Sequence, residues 1–144
     1  MEYKEDVKMG LDMFLYGANS KFDGESCTSE IKLEEVAYWR KHNAIHAWMV
    51  KNVQGGTDNC AMYYLSESTL KELLKVCNYV LANPTVDTAM SLLPTQDGFF
   101  FGGTDLTCEY ELEYYLNGLK YTVSVIKGLL KDGKYEYYCY QSSW

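Results

Sequence analysis

The stretch "YWRKHNAIHAWMV" (Tyr38–Val50) sets Arg40, Lys41, His42, Asn43 and His46 among Trp39, Trp48 and aliphatic residues. Those residue types suit an anion. Arg offers a planar fork of donors and Lys a point charge. Asn43 and His46 stand three residues apart, which on a helix sets them side by side. His46 taken alone also suits a core position, bonded to backbone. His42 and His46 have the i, i+4 spacing of metal ligands. No acid follows the first His as in HExxH and no third ligand stands nearby, so no metal site is expected.

Two further stretches carry polar heads among aromatics. In "PTQDGFFFGG" (Pro94–Gly103) the glycines allow close backbone approach. Phe100 could stack on a base, and Thr95 and Gln96 add hydrogen-bonding groups. The stretch matches no phosphate loop or dinucleotide motif, and a turn burying three phenylalanines explains it equally. The chain closes on "YEYYCYQSSW". Trp144 is expected to dock rather than fray, either for packing or to close a pocket. Cys60 follows Asn59 just beyond the His46 helix, so a Cys–His pair is conceivable, but nothing orients it and a strand residue is the simpler reading. The expected ligand-binding set is therefore Trp39, Arg40, Lys41, Asn43, His46, Gln96, Phe100 and Trp144, with no catalytic residue and no cofactor.

The elements that must position these groups read as follows. "MGLDMFLYG" (Met9–Gly17) alternates Leu11, Met13 and Leu15 and predicts a strand. Residues 18–29 are turn-rich. "EIKLEEVAYW" predicts a second strand whose register shifts once near Val36. Helical periodicity from Trp39 to Val53 follows, stopped by "QGGTDN". "CAMYYLS" is a short strand. "SESTLKELLKVCNYVLANP" is a helix capped by Ser66 or Ser68, with Leu70, Leu73, Leu74, Cys77 and Leu81 as its stripe. "TVDTAMSLL" adds a short helical turn. A long helix spans "LTCEYELEYYLNGLKYTVSVIKGLLKD", with Leu112, Tyr115, Leu116, Leu119, Val123 and Ile126 inward and Gly118 weakening it. "GKYEYYCYQSSW" is the last strand. The sum is a single α+β domain over residues 9–144, a small and mostly antiparallel sheet packed with about three helices. Residues 1–8 are expected to be a flexible extension.

The composition narrows the partners. A chain of 144 residues with 47% hydrophobic content forms one cored domain. Fourteen tyrosines suit a core that opens onto a pocket, or half-wet strand faces. The net charge of −7 with scattered Lys and Arg gives no basic face, so nucleic acid is not expected as partner. Five cysteines without a CxxC pair argue against disulfides or structural zinc. No apolar run reaches membrane-spanning length, and the charged start "MEYKEDVK" is no signal peptide.

"MGLDMFLY", "EEVAYWRKHNAIHAWMV", "LLPTQDGFFFG" and "YYCYQSSW" together resemble a family of small proteins of phages and prophages, from Met9 to Trp144. Family members carry a small residue where this chain has His42, and Phe where it has Met49. The resemblance implies a phage protein acting in the cytoplasm of an infected bacterium. It is similar in character to phage sponges that sequester nucleotide immune signals, of the Sequestin and Lockin type that oppose Thoeris signalling, or to sponges for CBASS cyclic nucleotides. That is fold-level analogy. The expected function is a non-enzymatic binder of an anionic nucleotide-derived molecule, an ADP-ribose derivative or cyclic nucleotide. A nucleotide-cleaving enzyme using His46 and a protein–protein inhibitor with a Tyr-rich surface are the alternatives. A homo-oligomer is compatible with each.

Overall fold

The computed structural model describes residues 10–18, 33–97 and 103–144. Four antiparallel strands form one sheet: β1 (Asp12–Ala18), β2 (Leu33–Arg40), β3 (Tyr63–Leu65) and β4 (Tyr137–Ser143), in the order β2-β1-β4-β3. Among the described residues four helices accompany it: α1 (Asn43–Asn52), α2 (Glu67–Ala82), α3 (Val86–Leu92) and α4 (Glu109–Asp132). The fold is α+β, and the expected turn at 86–92 is a full short helix capped by Thr85, the fourth among the described residues.

Period-two alternation builds the sheet's inner face. Met13 pairs with Trp39 and Ser142, and Leu15 pairs with Ala37 and Tyr140. All six are buried. On the other face Phe14 stacks against Tyr16 and tilts against Tyr38. The register shift falls where Leu15 faces Ala37 but Tyr16 faces Glu35, which leaves Val36 as the extra residue of a bulge.

Helix α2 starts where Ser66 Oγ accepts the Thr69 N–H. It buries Leu70, Leu73, Cys77 and Val80, with Leu74 and Leu81 half-buried beside them. Helix α4 buries Tyr115, Leu119, Thr122 and Ile126 and stops at Gly133, whose φ of 58° is the left-handed cap. Leu112, Leu116 and Val123 flank that stripe half-buried. Helices α2 and α4 pack on each other, and α4 also reaches β2, the edge strand among the described residues. There Tyr121 Oη accepts the Tyr38 N–H at 3.1 Å, satisfying an edge donor of β2.

The structure corrects one boundary that shapes the site. The helix expected from Trp39 begins only at Asn43, and Trp39 and Arg40 end β2. The period-two pair Ala37–Trp39 belongs to the strand, while Trp39, His42 and His46 also match a helical period, so the two patterns overlap at the junction. The 18–29 turn region falls, from residue 19 on, outside the described residues, as does the Met1–Lys8 extension.

Candidate functional site

The corner between β2 and α1 is made by Lys41 and His42. The Lys41 N–H donates to the Leu11 carbonyl at 2.7 Å. Lys41 turns with φ of 57°, the left-handed region that a residue with a Cβ enters at a cost. His42 then caps α1 through Nδ1, which accepts the Ile45 N–H. Its Nε2 lies 2.9 Å from the Tyr115 carbonyl. A carbonyl only accepts, so the proton sits on Nε2 and the ring is neutral. Burial pushes the His42 pKa down, against the two backbone bonds. The ring lies over Gly118, where a Cβ would come within 2.1 Å of His42 Cδ2.

Arg40 is oriented from below and beside. Its Nη1 pairs with Asp12 Oδ1 at 3.0 Å, and the same oxygen accepts the Tyr38 hydroxyl. The Asp12 bond holds the Arg40 pKa above its ordinary value. Gly10 lies against the guanidinium, since a Cβ there would stand 2.3 Å from Nη2. The Arg40 side chain nevertheless stays 39% exposed.

Beside it opens a cleft of 530 Å³. Arg40 and Lys41 come from the corner, Gly103 and Thr104 from the loop before α4, and Tyr110, Glu111 and Tyr114 from the first turns of α4. A smaller compartment of 230 Å³ shares Arg40 and Tyr114 with it and continues along Tyr38, Asn117, Gly118 and Tyr121, with Trp39 and His42 at its base. The Tyr114 hydroxyl donates to the Arg40 carbonyl, so these two residues form the wall common to both compartments. Burial is the main cause that raises the Tyr114 pKa, and its hydroxyl stays protonated at neutral pH. Asn43, itself buried, donates from Nδ2 to Thr104 Oγ1 at 3.1 Å and so fixes Thr104 in the cleft wall. Glu111 Oε2 accepts the Asp105 N–H at 2.9 Å.

No known protein family, curated protein or solved structure matches this chain. The site must be read from its own geometry.

Of the eight residues singled out in the sequence, Arg40 and Lys41 line the cleft and Asn43 supports it. Trp39 is 4% exposed and its Nε1 donates to Thr122 Oγ1 at 2.8 Å, so it packs the core rather than offering a face for stacking. His46 is 1% exposed and belongs to another cluster. Its Nε2 lies 2.9 Å from Asp58 Oδ1 and its Nδ1 lies 2.7 Å from the Tyr140 hydroxyl. With Nε2–H donating to the carboxylate, Nδ1 accepts the Tyr140 proton. Trp144 joins the same cluster, its Nε1 donating to Asp58 Oδ1 at 3.2 Å. The terminal indole is therefore docked and half-buried, but not at the cleft. Gln96 lines a separate hollow of 310 Å³ with Trp48, Lys51 and Pro94. Phe100 lies outside the described residues.

Both nitrogens of His42 and both of His46 bond to protein groups, which removes the i, i+4 pair as metal ligands. Among the described residues no three His, Cys, Asp or Glu side chains converge. Cys60 and Cys108 are exposed and free, whereas Cys77 and Cys139 are buried and free, and burial pushes the Cys77 thiol up to about 12. No helix among the described residues is long and apolar enough to cross a membrane.

Sequence reasoning did not single out Thr104, Tyr110, Glu111, Tyr114 or Asp58. For the tyrosines a signal existed: Tyr110, Tyr114 and Tyr121 in "CEYELEYYLNGLKY" repeat at i, i+4 and i+11, a helical stripe beside the inward one. All three are exposed.

Proposed function

We propose that this chain binds an anionic, nucleotide-derived small molecule in the Arg40–Lys41 cleft and holds it without chemical change. The observation that carries the reading is the pairing of two cations with two exposed tyrosine rings, Tyr110 and Tyr114, in one cleft of a chain whose net charge is −7. Cations meet phosphate, tyrosine rings stack on a base, and Thr104 and Glu111 are partners for ribose hydroxyls. Two neighbouring cations at one concave place of an acidic molecule suit an anion of limited size better than a nucleic-acid strand.

Cleavage through His46 is the less favoured reading. That ring is buried, and both its nitrogens bond within the Asp58–Tyr140 cluster. The cleft walls among the described residues hold no Ser, Cys or His. The resemblance to phage proteins makes a host immune signal the ligand to test first, in an infected bacterial cytoplasm. Thermal shift against ADP-ribose derivatives and cyclic dinucleotides, followed by denaturation and mass spectrometry of the released ligand, tests the proposal. Intact ligand recovered from wild type and lost from Arg40→Ala supports it. Released product moves the function to catalysis. No shift with any nucleotide sinks the ligand reading and leaves a protein partner.

A further inference from the structure

The 310 Å³ hollow beside α1 shares no lining residue with the Arg40–Lys41 cleft. One wall is a single face of α1, where Ala44, Ala47, Trp48 and Lys51 recur at i, i+3, i+4 and i+7. Two of these four are alanines, so the helix leaves room beside the indole that longer side chains would fill. The chain leaving α3 makes the other wall. Leu92 ends that helix, Pro94 keeps the chain from continuing it, and the exposed Gln96 follows.

These walls carry unused donors. Trp39 and Trp144 direct their indole N–H groups into the protein, to Thr122 and Asp58. The half-buried Trp48 offers its own to solvent, with no acceptor among the described residues. Lys51 is exposed and forms no ion pair among the described residues. Asn52 Nδ2 donates to the Trp48 carbonyl at 2.9 Å, which holds that side chain against the helix. No acid among the described residues lines the hollow. Asp97, the acid next to Gln96, lies against Gly103 instead, where an added Cβ would meet its Oδ1. An indole N–H, an ammonium and an amide among apolar walls fit a ligand that brings acceptors and one negative charge. A phosphate dianion calls for a second cation, which the Arg40–Lys41 cleft has and this hollow lacks. The volume is at the small end for ligand sites and suits a single ring or a fused pair.

We infer that this hollow is a second binding site, for a small aromatic monocarboxylate, with its ring against Trp48 and the alanines and its carboxylate at Lys51 and Gln96. The site does not depend on what the Arg40–Lys41 cleft holds.

The test is two-dimensional NMR of the whole isotope-labelled chain, whose 3 tryptophans give separate indole N–H signals, with Trp48 assigned through Trp48→Phe. Benzoate should shift the Trp48 signal saturably, with a Kd of about 1 mM or below, and leave those of Trp39 and Trp144 in place. Benzamide, which has the same shape without the charge, should bind at least about threefold more weakly. Lys51→Met keeps a straight-chain helix former on an exposed position, so it should fold. It should weaken benzoate by the same factor and leave benzamide unchanged. Ala47→Leu should fill the hollow and remove both. No saturable shift at Trp48, a shift shared by all the indole signals, benzamide binding as tightly as benzoate, or Lys51→Met binding benzoate like wild type would each overturn the inference.

Discussion

Lys41 offers the sharpest separation of a residue kept for function from one kept for folding. It is exposed, and its backbone sits at φ 57°. That conformation costs a residue with a Cβ about 1–2 kcal/mol. Replacement by Gly removes the cost but adds freedom to the unfolded chain, worth about 0.4–1 kcal/mol against folding. The net for Lys41→Gly is between about 0 and 1.5 kcal/mol of added stability, and Lys41→Asn, which tolerates the left-handed region, should gain as well. For a chain of this size the melting temperature would rise by up to about 5 °C. Binding should move the other way. Losing one charge-assisted contact to phosphate costs about 1–2 kcal/mol, a factor of about 5–30. Urea denaturation gives the first quantity and calorimetric titration with ADP-ribose the second. A glycine variant that is clearly less stable would refute the strain argument. A variant that is more stable and binds unchanged would remove Lys41 from the site.

Gly118 and His42 should be coupled. Gly118→Ala gains about 1 kcal/mol of helix propensity, but the Cβ meets the His42 ring at an overpacking cost of about 1–3 kcal/mol, so the net should be a loss of up to about 2 kcal/mol. In a His42→Ala background the same change should stabilise, and an unchanged sign in urea melts would show that the ring moves aside freely. Burial lowers the His42 pKa below its ordinary 6.5, so the unfolded chain takes up a proton at a pH where the folded chain does not. The stability His42 confers is present above about 6.5 and is lost as the pH falls through the folded pKa. Urea midpoints from pH 8 to 5 should therefore fall for wild type and fall less for His42→Asn, and parallel profiles would refute it. His46→Ala strips the fully buried Tyr140 hydroxyl of its His46 partner and should cost about 2–4 kcal/mol, with a melting temperature within a degree of wild type as the contrary result. Deleting Gln141–Trp144 removes β4 residues paired with Asp12, Met13 and Phe14 and the Trp144–Asp58 bond, so the melting transition should drop by tens of degrees or vanish, and an unchanged transition would show the terminus to be dispensable.

The sequence alone determined most of the elements, though not where β2 ends and α1 begins. Alternation at Leu11, Met13 and Leu15, the Ser66 cap with the Leu70–Leu73–Cys77 stripe, and the Tyr115–Leu119–Ile126 stripe are local patterns, and each marks the face that must leave water. Even the bulge at Val36 was legible, as a break in alternation. Tertiary structure alone decided which polar heads meet. Arg40, Lys41 and His46 stand within seven positions of one another, yet the strand-to-helix corner at Lys41 sends Arg40 to the α4 cleft and buries His46 against Tyr140 and Asp58. Tyr110 and Tyr114 reach Arg40 across about seventy positions of chain, because α4 lies along the edge strand. Periodicity says which side of an element is buried, since burial is set residue by residue by transfer from water. It does not say what stands opposite, since that depends on how elements far apart in the chain pack together.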